Sequence, residues 1–132
     1  LEVGINGCTD ITGFGLLGHA FEMSEASGVS IELWSDYLPI IKESIEHAKM
    51  GIIPAGAYNN EAYLDGRVHF AEEIPQEIRD IMYDPQTSGG LLISVSADKL
   101  DRLMDGLKKK LKTDFNVIGK VKQKGEYAIE VI

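Results

Sequence analysis

The sequence is poor in cysteine and has no long hydrophobic run, with Cys8 as the single cysteine among 132 residues. A lone cysteine cannot form an internal disulfide, which is typical of a protein from the reducing cytoplasm. A membrane-spanning helix needs about 20 consecutive apolar residues, and no stretch approaches that length. The chain also lacks an initiator Met and a basic segment followed by an apolar one. We therefore expect no signal peptide and no membrane partner, and a chain that begins partway through a longer cytoplasmic protein.

Positive charge is scarce as well, since the net charge is −8 at pH 7. This balance disfavours general affinity for nucleic acid, because an acidic surface repels a polyanion. The charge is uneven: residues 1–97 carry 15 acidic and 4 basic side chains, whereas residues 98–132 carry 6 acidic and 9 basic ones. The densest basic cluster, residues 108–110 with Lys112, is typical of the exposed C-terminal turn of a helix.

Hydrophobic periodicity alternates between helical and strand patterns along the chain. Together with the turn residues it predicts helices at about 12–25, 39–50, 57–64, 75–83 and 98–112. It predicts strands at about 29–34, 67–70, 91–95, 116–121 and 127–132. Lys124-Gly125 is a turn that permits antiparallel pairing of the last two strands. The predicted fold is therefore of the α/β (α+β) class, a mixed sheet with helices packed on it.

The most distinctive stretch is residues 9–19, TDITGFGLLGH, where polar residues and three glycines precede an apolar run. Thr9, Asp10 and Thr12 are residue types that favour helix N-caps. The glycines are poor helix formers, so bare backbone is expected to approach a ligand or a packed neighbour closely. Asp10 therefore has two interpretations: it caps the helix, or it is a hard oxygen ligand for Mg²⁺.

A second polar loop, residues 86–90 (QTSGG), precedes a predicted strand. It either offers backbone N–H groups and hydroxyls to an anion or forms a flexible turn. The letters GFGLLG also match the dinucleotide-binding fingerprint, with Glu32 and Asp36 about 20 residues further on. That interpretation is disfavoured, because the residues before the first glycine are too polar for a buried parallel strand.

The histidines and the cysteine give no metal or nucleophile pattern. His19, His47 and His69 share no metal-ligand spacing and are interpreted as structural or surface residues. No Lys, Arg or His lies within ten residues of Cys8, so the sequence gives no sign that this thiol is activated.

Two motifs together resemble a known family. Residues 9–19 and residues 84–92 (DPQTSGGLL) resemble the signature stretches of the C-terminal half of the selenide, water dikinases, also called selenophosphate synthetases. Residues 51–56 with Asn60 resemble the family's G-x-x-P-G-G-T-x-x-N segment, from which Ala55 and Ala57 depart. Residues 75–84 also match the run that precedes the second motif.

The resemblance implies an ATP-dependent enzyme that makes selenophosphate from selenide, ATP and water and releases AMP and phosphate. It implies that residues 1–132 are the C-terminal domain of a two-domain synthetase, with a mixed sheet as in the aminoimidazole ribonucleotide synthetase superfamily. The N-terminal ATP-binding domain of such enzymes carries the essential lysine and the cysteine or selenocysteine nucleophile, to which Cys8 does not correspond. We therefore expect no catalytic residue in this fragment, no activity of the fragment alone, and a homodimer when full length.

The resemblance also assigns a role to Asp10, which would help to hold the Mg²⁺ ions that bridge the phosphates of ATP. The residues predicted to lie near those phosphates are Thr9, Thr12, Gly13, Gly15, Gln86, Thr87, Ser88, Gly89 and Gly90. Two alternatives stay open: another synthetase of the superfamily, acting on an amidine or on thiamine phosphate, and a binding module without catalytic activity.

Overall fold

The computed structural model describes residues 3–132. Within that range the strands are β1 Gly7–Asp10, β2 Val29–Leu33, β3 Val68–Phe70, β4 Leu91–Ser94, β5 Gly119–Gln123 and β6 Ile129–Val131. The α-helices are α1 Gly15–Ser27, α2 Lys42–Lys49, α3 Ala55–Tyr63, α4 Gln76–Tyr83 and α5 Leu100–Lys110. Short 3-10 helices, Ser35–Tyr37 and Ala97–Lys99, precede α2 and α5.

The larger sheet is mixed, as predicted, with the strand order β3-β6-β2-β5. β6 pairs in parallel with both β2 and β3, whereas β2 and β5 are antiparallel. The chain turns between β5 and β6, but these two strands do not form a hairpin, because β2 lies between them. The predicted turn at Lys124-Gly125 therefore leads across the sheet instead of joining two paired neighbours.

The smaller sheet contains β1 and β4, which pair antiparallel with Asp10 opposite Leu91 and Cys8 opposite Ile93. β1 was not predicted from the sequence, because its residues are mostly polar or small. One face of this sheet is directed toward α1, since a methyl group added at Gly7 would lie 3.2 Å from the Met23 side chain. The other face carries Cys8 and Asp10, both exposed.

The core lies where α1, α3 and α4 pack together and against the larger sheet. Its fully buried side chains include Leu17 of α1, Leu33 of β2 and Ile129 of β6. A buried hydroxyl also holds α1 to the sheet, since Ser24 Oγ donates to the carbonyl of Val29 at 2.6 Å. α1 ends, as predicted, at Gly28, whose φ of 64° is left-handed and therefore suits glycine.

Several helix boundaries differ from the predicted ones. α1 begins at Gly15 instead of residue 12, and its N-cap residue is Phe14, with no side-chain capping bond. The expectation that Thr9, Asp10 or Thr12 caps this helix is therefore wrong. α2 begins at Lys42, three residues after Pro39, because its N-cap residue Ile41 is still extended.

α5 is amphipathic, as predicted, but none of its residues is buried. No helix in the described part of the chain has the length and apolar character needed to cross a membrane.

Candidate functional site

The two sequence motifs are joined to each other by backbone hydrogen bonds. The amide of Ile11 donates to the carbonyl of Gly90 at 2.9 Å, and the amide of Gln86 donates to the carbonyl of Thr12 at 3.0 Å. The pairing of Asp10 with Leu91 continues this contact into the smaller sheet. Residues far apart in the sequence therefore form one surface.

The third motif segment, residues 51–60, also contacts the region where the other two motifs meet. The buried Asn60 amide donates through Nδ2 to the carbonyl of Gly13 at 3.0 Å and to that of Tyr83 at 2.9 Å. Gly56 lies so close to Pro85 that an added methyl group would be 2.9 Å from its Cγ. We call residues 9–19, 51–60 and 84–91 together the motif corner.

Close packing explains several glycines of the motif corner. A methyl group at Gly89 would lie 2.3 Å from the carbonyl oxygen of Ile11, and one at Gly15 would lie 2.9 Å from that of Tyr83. Gly15 also has a φ of 69°, which non-glycine residues rarely adopt. A methyl group at Gly18 would lie 2.6 Å from Phe14 Cβ. These glycines are required by neighbouring protein atoms, one of the two outcomes that the sequence left open.

Two other glycines have open space beside them. A methyl group at Gly13 or at Gly90 would meet no atom of the described chain within 4 Å, and neither residue has a left-handed φ. Both are exposed, as are Thr87 and Ser88. Backbone in these positions is accessible to a ligand or to another protein surface.

Asp10 is the exposed last residue of β1, and its carboxylate has no hydrogen-bond or ion-pair partner among residues 3–132. Its cross-strand neighbour Leu91 is 66% exposed although it is large and apolar. Within the described range, no group of three His, Cys, Asp or Glu side chains is arranged to hold a metal ion. Asp10 alone cannot hold a metal ion, so a metal site here would need further ligands in addition to its carboxylate.

Thr9 and Asp10 lie on opposite faces of the smaller sheet. Thr9 is half-buried on the face directed toward α1, where its cross-strand partner Leu92 packs against the core. The Thr9 hydroxyl donates to the carbonyl of Asp10 at 3.3 Å. The structure therefore brings Asp10, Thr12, Gly13 and the 86–90 loop together, and directs the Thr9 side chain away from them.

A chain of side-chain hydrogen bonds extends from Thr12 into α1. Thr12 Oγ1 lies 3.0 Å from His19 Nε2, and His19 Nδ1 lies 3.1 Å from Glu22 Oε2. Phe14 packs with its ring edge-on to the imidazole, 5.7 Å between centroids. From the sequence His19 was interpreted only as a structural or surface residue. The spacing of three residues puts His19 and Glu22 on one side of α1 and was the available signal for this pair, whereas Thr12 precedes the helix.

Burial also affects the ionisable groups before the second motif. It raises the pKa of the Tyr83 phenol to about 12, with a further contribution from the charge of Glu61. It raises the pKa of the half-buried Asp84 carboxyl above its usual value. Neither residue was a candidate site residue from the sequence. Tyr83 is therefore neutral near pH 7, and its backbone carbonyl lies against Gly15.

The remaining candidate residues do not belong to the motif corner. His69 stacks on Tyr127 with 5.0 Å between ring centroids. Cys8 is exposed on the same face as Asp10. A shallow cavity of about 570 Å³ lies between α5 and the end of β2, where it is lined by Trp34, Tyr37, Met104, Asn116 and Val117. None of these cavity residues belongs to a sequence motif.

Comparison with known proteins defines the class of the domain. The whole chain, residues 1–132, matches the family described as AIR synthase related protein, C-terminal domain. The chain therefore belongs to this family, and its fold is the mixed α/β architecture described above.

Similar individual proteins carry a more specific name. The chain is 55% identical over 130 residues to the selenide, water dikinase of Caldanaerobacter subterraneus subsp. tengcongensis, covering 98% of the chain and 38% of that protein. It is 50% identical over 128 residues to the selenide, water dikinase of Clostridioides difficile (strain 630), covering 97% of the chain and 37% of that protein. Selenide, water dikinase 2 of Peptoclostridium acidaminophilum is 47% identical over 128 residues. The chain thus spans less than two fifths of the length of these relatives.

Proposed function

We propose that this chain is the C-terminal domain of a selenophosphate synthetase, which makes selenophosphate from selenide, ATP and water and releases AMP and phosphate. The identity of 47–55% to selenide, water dikinases supports this proposal. So does the presence of both signature motifs, because they meet at one surface. The proposed location is the cytoplasm.

The role of this domain in the proposed enzyme is to complete the site for ATP and Mg²⁺. The observation that carries this proposal is the exposed Asp10 carboxylate, which caps no helix and pairs with no cation among residues 3–132. Mg²⁺ commonly takes one or two protein carboxylates together with phosphate oxygens and water. When bound, Mg²⁺ would neutralise negative charge on the phosphates during phosphoryl transfer.

The neighbours of Asp10 suit a polyphosphate. The open backbone at Gly13 and Gly90 permits close approach, and the exposed Thr87 and Ser88 carry hydroxyl donors. Gly15, Gly89 and the amide of Gln86 hold the two loops at a fixed separation. In this proposal Thr9 acts through the strand backbone, because its side chain is on the opposite face.

The N-terminal ATP-binding domain is the proposed partner of the face that carries Asp10. Leu91 supports this assignment, because a large apolar side chain that is 66% exposed is stabilised when a neighbouring surface covers it. That domain would supply the nucleophile and the remaining metal ligands, so the 132-residue chain alone should be inactive. The full-length protein is proposed to form a homodimer.

The test is the substitution Asp10→Asn in the full-length protein, with AMP formation measured from selenide and ATP. Loss of several kcal/mol of charge stabilisation corresponds to a fall of at least about 100-fold in kcat. Asp36→Asn, which changes an exposed aspartate in the Ser35–Tyr37 turn, should leave kcat unchanged. Near-normal activity of Asp10→Asn with unchanged Mg²⁺ dependence would remove Asp10 from the metal site.

Measuring ATP cleavage by the unmodified full-length protein with different substrates distinguishes the remaining alternatives. ATP cleavage that depends on selenide supports the proposed synthetase. Cleavage that instead depends on an amidine or on thiamine phosphate would indicate another member of the superfamily. Absence of ATP cleavage with all of these substrates would indicate a binding module.

A further inference from the structure

Thr12 is held at both its backbone and its side chain. Its carbonyl accepts from the amides of Gly15 and Gln86, each at 3.0 Å. Its hydroxyl is 3.0 Å from His19 Nε2. The backbone contacts fix the position of Thr12 relative to the second motif. The contact with His19 determines how the Thr12 hydroxyl is oriented.

The hydrogen bonds behind Thr12 have a defined direction. A carboxylate can only accept, so His19 Nδ1, 3.1 Å from Glu22 Oε2, carries a hydrogen and donates it. The His19 side chain is only 9% exposed, whereas that of Glu22 is 55% exposed. The ring is thus enclosed, with Phe14 against it, and connects an exposed carboxylate to a hydroxyl in the motif corner.

We propose that His19 and Glu22 are positioning residues that direct the Thr12 hydroxyl, as a hydrogen-bond donor, toward an anionic oxygen of the bound nucleotide. The choice of ligand rests on the proposed function. A phosphate oxygen can only accept, so the Thr12 hydrogen must point toward the phosphate. His19 Nε2 must then donate to Thr12 Oγ1, and Nδ1 to Glu22. The imidazole ring then carries a hydrogen on both nitrogens and donates in two directions, to Glu22 and to Thr12, and the Thr12 hydroxyl donates onward to the ligand.

This arrangement differs from an ordinary surface pair on a helix. Glu46 and Lys49 on α2 are also three residues apart and 3.3 Å from each other, but both are exposed, and neither side chain forms a hydrogen bond to a motif residue of the described chain. Removing Glu46 should therefore affect only local helix stability. Removing Glu22 should also change the binding of the nucleotide, because its effect passes through His19 to Thr12.

The experiment compares Thr12→Val, Glu22→Ala and the double variant in the full-length protein, with KM for ATP and kcat measured separately. Loss of one hydrogen bond from Thr12 should raise KM for ATP by about threefold to tenfold, with a smaller change in kcat. Glu22→Ala should raise KM by a lesser factor. The double variant should have the same KM for ATP as Thr12→Val alone, because no Thr12 hydroxyl remains for Glu22 and His19 to orient. Thr12→Ser should restore the KM of the unmodified protein.

A second measurement follows the hydrogen bonds directly. Long-range proton–nitrogen NMR spectra of His19 in the 132-residue chain should shift in Glu22→Ala and Thr12→Val and stay unchanged in the control Glu46→Ala. A KM for Glu22→Ala equal to that of Glu46→Ala, or independent effects of Glu22 and Thr12 that multiply, would overturn the proposal. So would unchanged His19 spectra in both variants.

Failure of the positioning role can be distinguished from failure of the proposed function. If the full-length protein cleaves ATP without a requirement for selenide, the proposed activity fails, and the positioning role is still judged by KM for ATP. If calorimetry with Mg²⁺ and ATP detects no binding to the full-length protein, both proposals fail.

Discussion

The motif corner and helix α5 differ in how closely their residues pack against the rest of the protein. In the motif corner, added methyl groups at four glycines (15, 18, 56 and 89) would lie within 3 Å of other atoms, and side chains hold backbone carbonyls. In α5 no residue is buried, and Gly106 has nothing within 4 Å of an added methyl group. The motif corner is therefore defined by close backbone contacts, whereas α5 is defined by hydrophobic periodicity and charge.

The charge of the two regions differs as well. Asp10 and Asp84 belong to the acidic part of the chain, whereas α5 ends in Lys108, Lys109 and Lys110. Lysines at a helix C-terminus interact favourably with the helix dipole and with water. By contrast, a carboxylate with no cation beside it, such as that of Asp10, would be stabilised by binding a cation. The contrast indicates that substitutions should have severe effects in the first region and mild ones in the second.

The largest effect is expected for Gly89→Ala in the motif corner. The added methyl group would lie 2.3 Å from the carbonyl oxygen of Ile11, whose backbone is held by its bond to Gly90. Overpacking against fixed backbone should lower the free energy of unfolding by about 3 kcal/mol, measured by denaturant titration. The neighbouring control Gly90→Ala has open space and should change it by less than about 0.5 kcal/mol. Equal effects of both variants would show that the tight contact is not specific to Gly89.

Asn60→Ala should have the next largest effect. Its side chain is buried and donates to the carbonyls of Gly13 and Tyr83, which would lose their donor. Leaving buried acceptors unpaired should cost about 2 kcal/mol of stability. The control Asn59→Ala removes an exposed amide next to it and should be nearly neutral. A cost for Asn60→Ala as small as that of Asn59→Ala would mean that water replaces the amide, and that the motif corner is more open than its contacts indicate.

Elements with a clear hydrophobic period were predicted well from the sequence. α4 and β2 lie within one residue of their predicted limits, and α5 within two. β1 was missed because a strand on a small sheet with one exposed face contains few apolar residues. The start of α1 was predicted three residues early, because the Thr12 hydroxyl contacts His19 instead of capping the helix, and the Thr12 carbonyl accepts from Gly15 and Gln86. Such tertiary contacts are not visible in local sequence patterns.

The candidate site was predictable to a similar, partial extent. The two motifs were predicted to belong to one site, and the structure pairs them directly. That the side chains of Thr9 and Asp10 lie on opposite faces could be seen only from the register of β1. The contacts from Thr12 through His19 to Glu22 could be seen only from the positions of the side chains. The role of Asp10 in metal binding stays a prediction, because the remaining ligands would come from a domain outside this chain.

The smallest effect, with the opposite sign, is expected for Gly106→Ala in α5. The helix interior disfavours glycine relative to alanine, and nothing within 4 Å obstructs a methyl group at this position. The substitution should therefore raise the free energy of unfolding by about 1 kcal/mol. Gly28→Ala is the matched control, since it also has open space but a left-handed φ of 64°, and it should lower stability by about 1 kcal/mol. If Gly106→Ala is destabilising, then α5 packs more closely than its exposed surface indicates, and the contrast with the motif corner is weaker than described.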